Sequence, residues 1–227
     1  MILKVTQEKQ AGAFPTVQAA LAKAKPGDRI VVLDDTIEEQ LKVVNWKTED
    51  LLGKQVTVEP AAGKRVIWRA PSYLKTRGEP LIQIGNVNGF CLKGFTFDGK
   101  NLVRDLMEIT GYCPGLVVED VQLKGFTRRA VLVSNCAGNS QDKGMIVLRR
   151  ITAVTEREAE SAFEFTLNPG VTPKINEHIL VNDCKLEGPF QVPIRIVPDL
   201  SINHDVQFSG NLAGNKPIEP QACPPRE

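Results

Sequence analysis

The chain has 227 residues, of which 42% are hydrophobic and 24% charged, so it can bury a core and is not disordered by composition. With 28 Lys and Arg against 27 Asp and Glu, the formal net charge is +1, which gives no electrostatic reason to expect nucleic acid or an anionic membrane as partner. The 6% aromatic content, beside 18 Gly and 15 Pro, favours many short strands around an aliphatic core.

The first part of the chain predicts a short helix that leads into a strand. Residues about 16–24 carry apolar side chains at helical spacing, with Thr16 as N-cap and Pro26-Gly27 as the stop. Residues 1–10 lack the apolar segment and cleavage site of a signal peptide, and no apolar run in the sequence approaches the roughly 20 residues that span a bilayer. No feature indicates a compartment or an oligomeric state.

Four strands are expected after the helix, at 29–33, 40–44, 55–60 and 65–70. Strand-like segments then recur with matching ends, and this repeat is the main structural signal. A first set lies at 81–86, 106–111, 130–135, 162–167 and 193–198. A second set follows at 90–99, 116–125, 146–155 and 179–188, with a truncated copy at 205–210.

The second set has a constant internal spacing. Its apolar residues stand at positions one, three, six and eight, as in Leu116, Val118, Val121 and Leu123. A polar pair, such as Glu119-Asp120, interrupts the alternation once in each copy. A strand that inserts one extra residue and then resumes alternation has turned a corner while keeping its apolar side chains inward. We expect the outward residues after this corner to form a second column, Thr96, Gln122, Thr152, Lys185 and Gln207.

Strands that recur with a polar corner predict coils of a parallel β-solenoid, because one coil cannot bury its own inward face and must stack on others. A β-sandwich would instead need antiparallel hairpins every 8 to 12 residues or so. We expect an all-β fold with a short N-terminal capping helix. Residues 1–215 would form a single domain, with regular coils at about 81–210, and residues 216–227 a loose, Pro-rich tail.

Two stretches resemble a known superfamily: TVQAALAKAKPGDRIVVLDDTIEEQLKV at 16–43 and NVNGFCLKGFTFDG at 86–99. They are similar to the N-terminal and internal coils of the pectin-lyase-like right-handed parallel β-helix superfamily, and the resemblance covers roughly residues 14–210. It implies a right-handed parallel β-helix. It implies no single activity, because the superfamily includes lyases, hydrolases, esterases, phage tailspikes and binding modules.

Similar segments also occur as domains attached to bacterial serine/threonine kinases. The resemblance therefore implies a bacterial protein and raises the hypothesis that this domain belongs to a longer, kinase-containing chain. The sequence itself has no glycine-rich phosphate loop and no HRD or DFG motif.

Candidate catalytic residues come from the outward positions of the first repeat set. In register, they form the column Gln83, Glu108, Leu132, Glu164 and Arg195. Two carboxylates two layers apart would be about 9 to 10 Å from each other, near the spacing of an inverting glycosidase. A solvated pair of opposite charges on adjacent strands explains the same residues.

A polysaccharide lyase would need acidic calcium ligands and a basic residue. Asp98, Lys124, Asp120 and Asp183 supply the residue types, but the sequence shows neither the acidic triplet of the lyases nor the paired Asp motif of the hydrolases. Calcium is therefore expected only if the chain is a lyase. The five cysteines have no CxxC spacing, so we predict buried thiols and no metal site.

The densest basic group comprises Arg128, Arg129, Arg149 and Arg150. It could hold an acidic polysaccharide through bidentate contacts to carboxylates. Alternatively it is a charged rim balanced by the nearby acidic residues Glu156, Glu158 and Glu160.

From the sequence, the favoured function is a non-catalytic module that binds carbohydrate or serves as a scaffold in a larger protein. The alternative is a polysaccharide lyase or glycoside hydrolase that acts on an acidic polysaccharide with Glu108, Glu164 and Arg195.

Overall fold

The computed structural model describes residues 1–8, 10–46, 55–140, 144–168, 170–198, 201 and 203–224, without the side chain of residue 204. Within these ranges the protein is nearly all β, with two short helices, α1 (Val17–Leu21) and α2 (Leu74–Arg77). Neither of these helices is long and apolar enough to cross a membrane.

The strands of the described ranges, numbered in chain order, are β1 (Ile2–Val5), β2 (Ala13–Phe14), β3 (Arg29–Val32), β4 (Thr36–Glu38), β5 (Leu41–Val44), β6 (Val56–Pro60), β7 (Ile67–Arg69), β8 (Ile82–Gly85), β9 (Phe90–Lys93), β10 (Thr96–Tyr112), β11 (Val117–Glu119), β12 (Gln122–Ala137), β13 (Ile146–Arg149), β14 (Thr152–Val154), β15 (Ser161–Thr166), β16 (Asn176–Asn182), β17 (Lys185–Glu187), β18 (Ile194–Ile196), β19 (Asn203–Ser209), β20 (Leu212–Ala213), β21 (Lys216–Pro217) and β22 (Gln221–Ala222). The four strands predicted before residue 81 correspond to β3, β5, β6 and β7.

Of the described strands, all except β2, which pairs with β1, and β21, which pairs antiparallel with β20, lie in three parallel ladders. The first ladder is β1, β3, β6, β9, β11, β13, β16 and β19. The second is β4, β7, the first part of β10, the first part of β12, β14, β17 and β20. The third is β5, β8, the second part of β10, the second part of β12, β15, β18 and β22. Like segments therefore pair with like, as the repeat predicts.

The predicted corners lie where the chain passes from the first ladder to the second. At each one, the second residue of the polar pair has a positive φ: 80° at Gly94, 54° at Asp120, 52° at Arg150 and 56° at Asp183. A residue in this left-handed conformation bends the chain. The extra residue therefore makes the corner while the apolar side chains on both sides of it still point inward.

The inward side chains of the ladders form one hydrophobic cluster. It is less purely aliphatic than expected, because many of the few aromatic residues lie inside it. Trp68, Phe95 and Phe97 form one group with ring centroids 5.3 to 5.5 Å apart. The indole N–H of Trp68 donates to the carbonyl of Glu39 at 2.7 Å, so this large ring is buried without an unpaired donor.

Helix α1 lies at the N-terminal end of the molecule and is shorter than the predicted 16–24. The Thr16 hydroxyl accepts the Ala19 N–H at 3.0 Å, which confirms the N-cap. Glu39 accepts the Val17 N–H at 2.8 Å, so the segment between β4 and β5 also holds the first turn of the helix. Val17, Ala20 and Leu21 are buried.

Two expectations for the C-terminal end are wrong. The segment 205–210 belongs to the first ladder, where Gln207 pairs with Leu180, and the strand after the corner pairs Lys185 with Leu212. The Pro-rich tail is also less loose than expected, because it contains β21, which pairs antiparallel with β20, and β22, which extends the third ladder.

Four of the five cysteines are buried and all five are free thiols. Burial raises the pKa of Cys91 to about 11 and that of Cys184 to about 12, so both are neutral at physiological pH. These thiols therefore pack as small apolar side chains.

Candidate functional site

The outward column of the third ladder has the predicted register. Glu108 pairs with Gln83 on one side and Leu132 on the other, Leu132 pairs with Glu164, and Glu164 pairs with Arg195. Glu108 and Glu164 are therefore separated by one intervening strand.

A buried ion-pair network lies beside this column, and Arg129 is at its centre. Its Nε and Nη2 donate to the two carboxylate oxygens of Asp105 at 2.5 and 2.8 Å, and its Nη1 donates to Glu164 Oε1 at 2.5 Å. Every nitrogen of the guanidinium is thus engaged. The side chains of Arg129 and Glu164 are only 8% and 6% exposed, so water screens this pair weakly.

Arg195 and Arg128 extend the network. Arg195 Nη1 lies 3.5 Å from Glu164 Oε2 and 3.7 Å from Glu160 Oε2, and its Nη2 donates to the Pro224 carbonyl at 3.2 Å. Arg128 Nε lies 2.7 Å from Glu160 Oε2. Three guanidinium groups therefore alternate with three carboxylates, those of Asp105, Glu160 and Glu164.

The network borders an open groove of about 320 Å³. The groove is lined by Arg128, Arg129, Leu132, Glu164, Thr166, Asn168, Arg195 and Val197. Four of the residues predicted from the sequence therefore come together at one place: Glu164, Arg195, Arg128 and Arg129.

One rim of the groove is held by Asn135, which has a left-handed φ of 48°. Its side-chain nitrogen donates to the carbonyls of Asn168, Val171 and Pro173, and its Oδ1 accepts the Asn168 N–H at 2.6 Å. The Asn168 side chain donates to the Ser134 hydroxyl at 3.0 Å. These bonds fix the position of Asn168 at the groove.

Arg149 and Arg150 are not part of this site. Arg149 Nε donates to Glu119 at 2.7 Å, while Arg150 donates to Asp120 at 2.6 and 2.8 Å and to Glu119 at 2.9 Å. Both arginines lie at the corner after β13, on the first ladder. The basic group in the sequence is therefore divided in two, and each half is neutralised by its own carboxylates.

Asp105 is the member of the network that the sequence reasoning missed. Asp105 pairs with Arg129, and Arg129 pairs with Ser161. Each of the three lies two residues before an inward-pointing residue of its repeat, which is Met107, Val131 or Phe163. Extending the first repeat set two residues upstream would have placed Asp105 next to Arg129. Of the three acidic residues considered as partners, Glu160 joins the network, whereas Glu158 accepts a hydrogen bond from Gln191.

The carboxylates considered as calcium ligands have other partners. Lys124 Nζ lies 3.6 Å from Asp98, Arg150 Nε lies 2.6 Å from Asp120, and Asn182 donates to Asp183 at 2.8 Å. Within the described ranges, no three Asp, Glu, His or Cys side chains converge as metal ligands.

Glu108 is half-buried, and burial is the main cause that raises its pKa above the ordinary value of 4.5. The charge of Asp105 raises it further, while Arg129 opposes the shift. Because the folded chain holds this proton more tightly than the unfolded chain, the stability that Glu108 contributes is full at acidic pH and is lost as the pH rises.

We therefore expect Glu108→Gln to be more stable than the wild type near neutral pH, with a difference that shrinks as the pH falls from neutral toward about 4.5 and is small below that value. Thermal unfolding of both proteins across this pH range tests it. Glu187→Gln, at an exposed position of β17, is the matched control. A stability difference that grows toward acidic pH would contradict the prediction.

No family model matches the chain, and no curated protein matches it. Among solved structures, the chain is similar to a rhamnogalacturonan lyase with a TM-score of 0.41 and 10% sequence identity. The match covers 92% of this chain and 72% of that chain. The likeness concerns the arrangement of β-strands alone.

Proposed function

We propose that the protein is a right-handed parallel β-helix and acts as a non-catalytic module that binds carbohydrate in the groove of the third ladder. Successive segments of the chain join the first, second and third ladders in turn, and this order supports the solenoid. Right-handed connection between parallel strands is the strong preference of protein chains. The outward face of such a coil stack offers an extended surface to a chain-like ligand.

The observation that carries the non-catalytic role is the position of Glu164 between two arginines. One oxygen accepts from Arg129 at 2.5 Å and the other lies 3.5 Å from Arg195. Because both of its oxygens face arginines inside the protein, this carboxylate is hindered from acting as a nucleophile.

The free-energy cost of burying this ion-pair network supports a binding role. Burying ion pairs removes charges from water, and a well-packed apolar cluster of similar volume is often as stable or more stable. The side chains of Glu164 and Arg195 are 6% and 7% exposed and line the groove. We infer that this arrangement is kept for ligand recognition, because rigid, preorganised polar groups lower the entropic cost of binding.

Titration calorimetry with a panel of oligosaccharides, followed by product analysis of the same mixtures, tests the proposal. The expected result is saturable binding with no release of reducing ends or unsaturated products. Asn168→Ala should weaken binding, whereas Asn182→Ala on the first ladder should not. Turnover of any oligosaccharide would overturn the non-catalytic role, and absence of binding would favour a scaffold.

Glu108 supports a second candidate, a polysaccharide lyase or glycoside hydrolase. Its raised pKa is the property that a general acid needs near neutral pH. Its partner across Leu132 would be Glu164, with Arg195 beside it. If the chain is such an enzyme, Glu108→Gln and Glu164→Gln each abolish product formation while the folded state is retained.

A further inference from the structure

The charge balance of the groove indicates which class of carbohydrate it accepts. An acidic saccharide is usually recognised by a guanidinium group whose donors are free to bind a carboxylate in bidentate fashion. In this groove, Arg129 has all three nitrogens engaged by Asp105 and Glu164. An acidic ligand would have to displace one of these carboxylates.

The other two cations of the groove are also paired with carboxylates, but their donors are less fully used, and Arg195 Nε has no hydrogen-bond partner among the described residues. Arg195, whose side chain is 7% exposed, faces Glu160 and Glu164 and donates to the Pro224 carbonyl. Arg128 is paired with Glu160 at 2.7 Å. Because three carboxylates balance three guanidinium groups, the groove has no net positive charge from this network to attract an anion.

The remaining groove residues are neutral. Leu132 and Val197 offer apolar surface, and Thr166 and Asn168 offer a hydroxyl and an amide. Apolar surface beside neutral hydrogen-bonding groups complements a sugar ring, which presents C–H groups on its faces and hydroxyls at its edge. An anionic substituent in the same place would also lie near the Glu164 carboxylate.

We propose that the groove binds neutral saccharides and discriminates against uronate-containing ones. This inference rests on the proposed carbohydrate-binding function and adds the ligand class to it. The acidic polysaccharide considered from the arginine-rich sequence is disfavoured because the arginines are already neutralised within the chain.

The test compares matched ligands by titration calorimetry: oligogalacturonides of one length as free acids and as methyl esters, beside neutral xylo-, manno- and galacto-oligosaccharides. We expect at least one neutral ligand to bind, with an affinity that changes little between low and high salt. Each acidic counterpart should bind at least about tenfold more weakly. Tighter binding of the free acids, or binding that weakens strongly with salt, would overturn the ligand class but leave carbohydrate binding intact.

Variants separate this inference from the proposed function. Thr166→Val should weaken neutral-ligand binding by about fivefold to tenfold because a hydroxyl partner is lost. Thr152→Val, on the second ladder, should leave it unchanged. Glu164→Gln should increase the affinity for the free acids, because it uncovers the positive charge of Arg129 and Arg195. If no saccharide binds any of these proteins, carbohydrate binding itself fails; if Glu164→Gln binds acids no better than the wild type, the charge-balance account fails.

Discussion

Arg129→Met is expected to lower the free energy of unfolding by about 3 to 5 kcal/mol, because removal of one partner of a buried ion pair leaves an uncompensated charge. Here the affected charges are that of Glu164, whose side chain is 6% exposed and would keep only the 3.5 Å contact to Arg195, and that of Asp105, whose side chain is 20% exposed. Urea unfolding followed by circular dichroism measures the change. The double variant Arg129→Met/Glu164→Leu should recover part of the loss, since it removes the buried carboxylate as well.

Arg150→Met is the matched control, because Arg150 also makes ion pairs but its side chain is 44% exposed. Solvent screens exposed ion pairs, which contribute little to stability, so this variant should be nearly as stable as the wild type. Equal losses for Arg129→Met and Arg150→Met would contradict the claim that burial makes the Arg129 network critical.

Phe165→Ala is expected to cost about 3 to 5 kcal/mol of stability, through lost burial and the cavity left behind. Phe165 is fully buried on β15, between the groove residues Glu164 and Thr166, and its ring centroid lies 5.3 Å from that of Phe208. The same change should loosen β19, because Phe208 loses its aromatic neighbour. Urea unfolding measures the first effect, and amide hydrogen exchange in β19 the second.

Two variants control for this effect. Phe165→Leu keeps most of the volume and should cost less than about 1.5 kcal/mol. Tyr112→Ala removes an aromatic ring that is 50% exposed and should change stability by about 0.5 kcal/mol or less. A loss for Phe165→Ala no larger than that for Tyr112→Ala would show that the layer beneath the groove is not tightly packed.

Much of the strand arrangement could be predicted because alternation and its interruption are local properties. A polar pair such as Glu119-Asp120 marks a corner wherever apolar residues resume on the same side of the chain. The positive φ values at Asp120, Arg150 and Asp183 confirm these corners. The matching ends of the first set also align one copy with the next, which is why the column from Gln83 to Arg195 has the predicted register.

The prediction was wrong where the repeat was incomplete. Gln207 was aligned with the strand after the corner, because the truncated last copy carries too few apolar residues to fix its phase. In the structure it pairs with Leu180, before the corner, and the chain reaches the second ladder only at Leu212.

The sequence by itself determined that the protein is built from repeated strands, where each strand turns and which side chains point outward, since a period of two and a constant spacing encode these features locally. Only the tertiary structure decided how the charged side chains pair. Arg128 and Arg129 are adjacent in the chain, but Arg128 reaches Glu160, just before β15, and Arg129 reaches Asp105 on β10. Arg149 and Arg150 reach Glu119 and Asp120 at the corner after β11. Long side chains have many rotamers, so the order of residues does not specify which partner each one reaches. Strand register limits the possible partners, and packing and burial select among them.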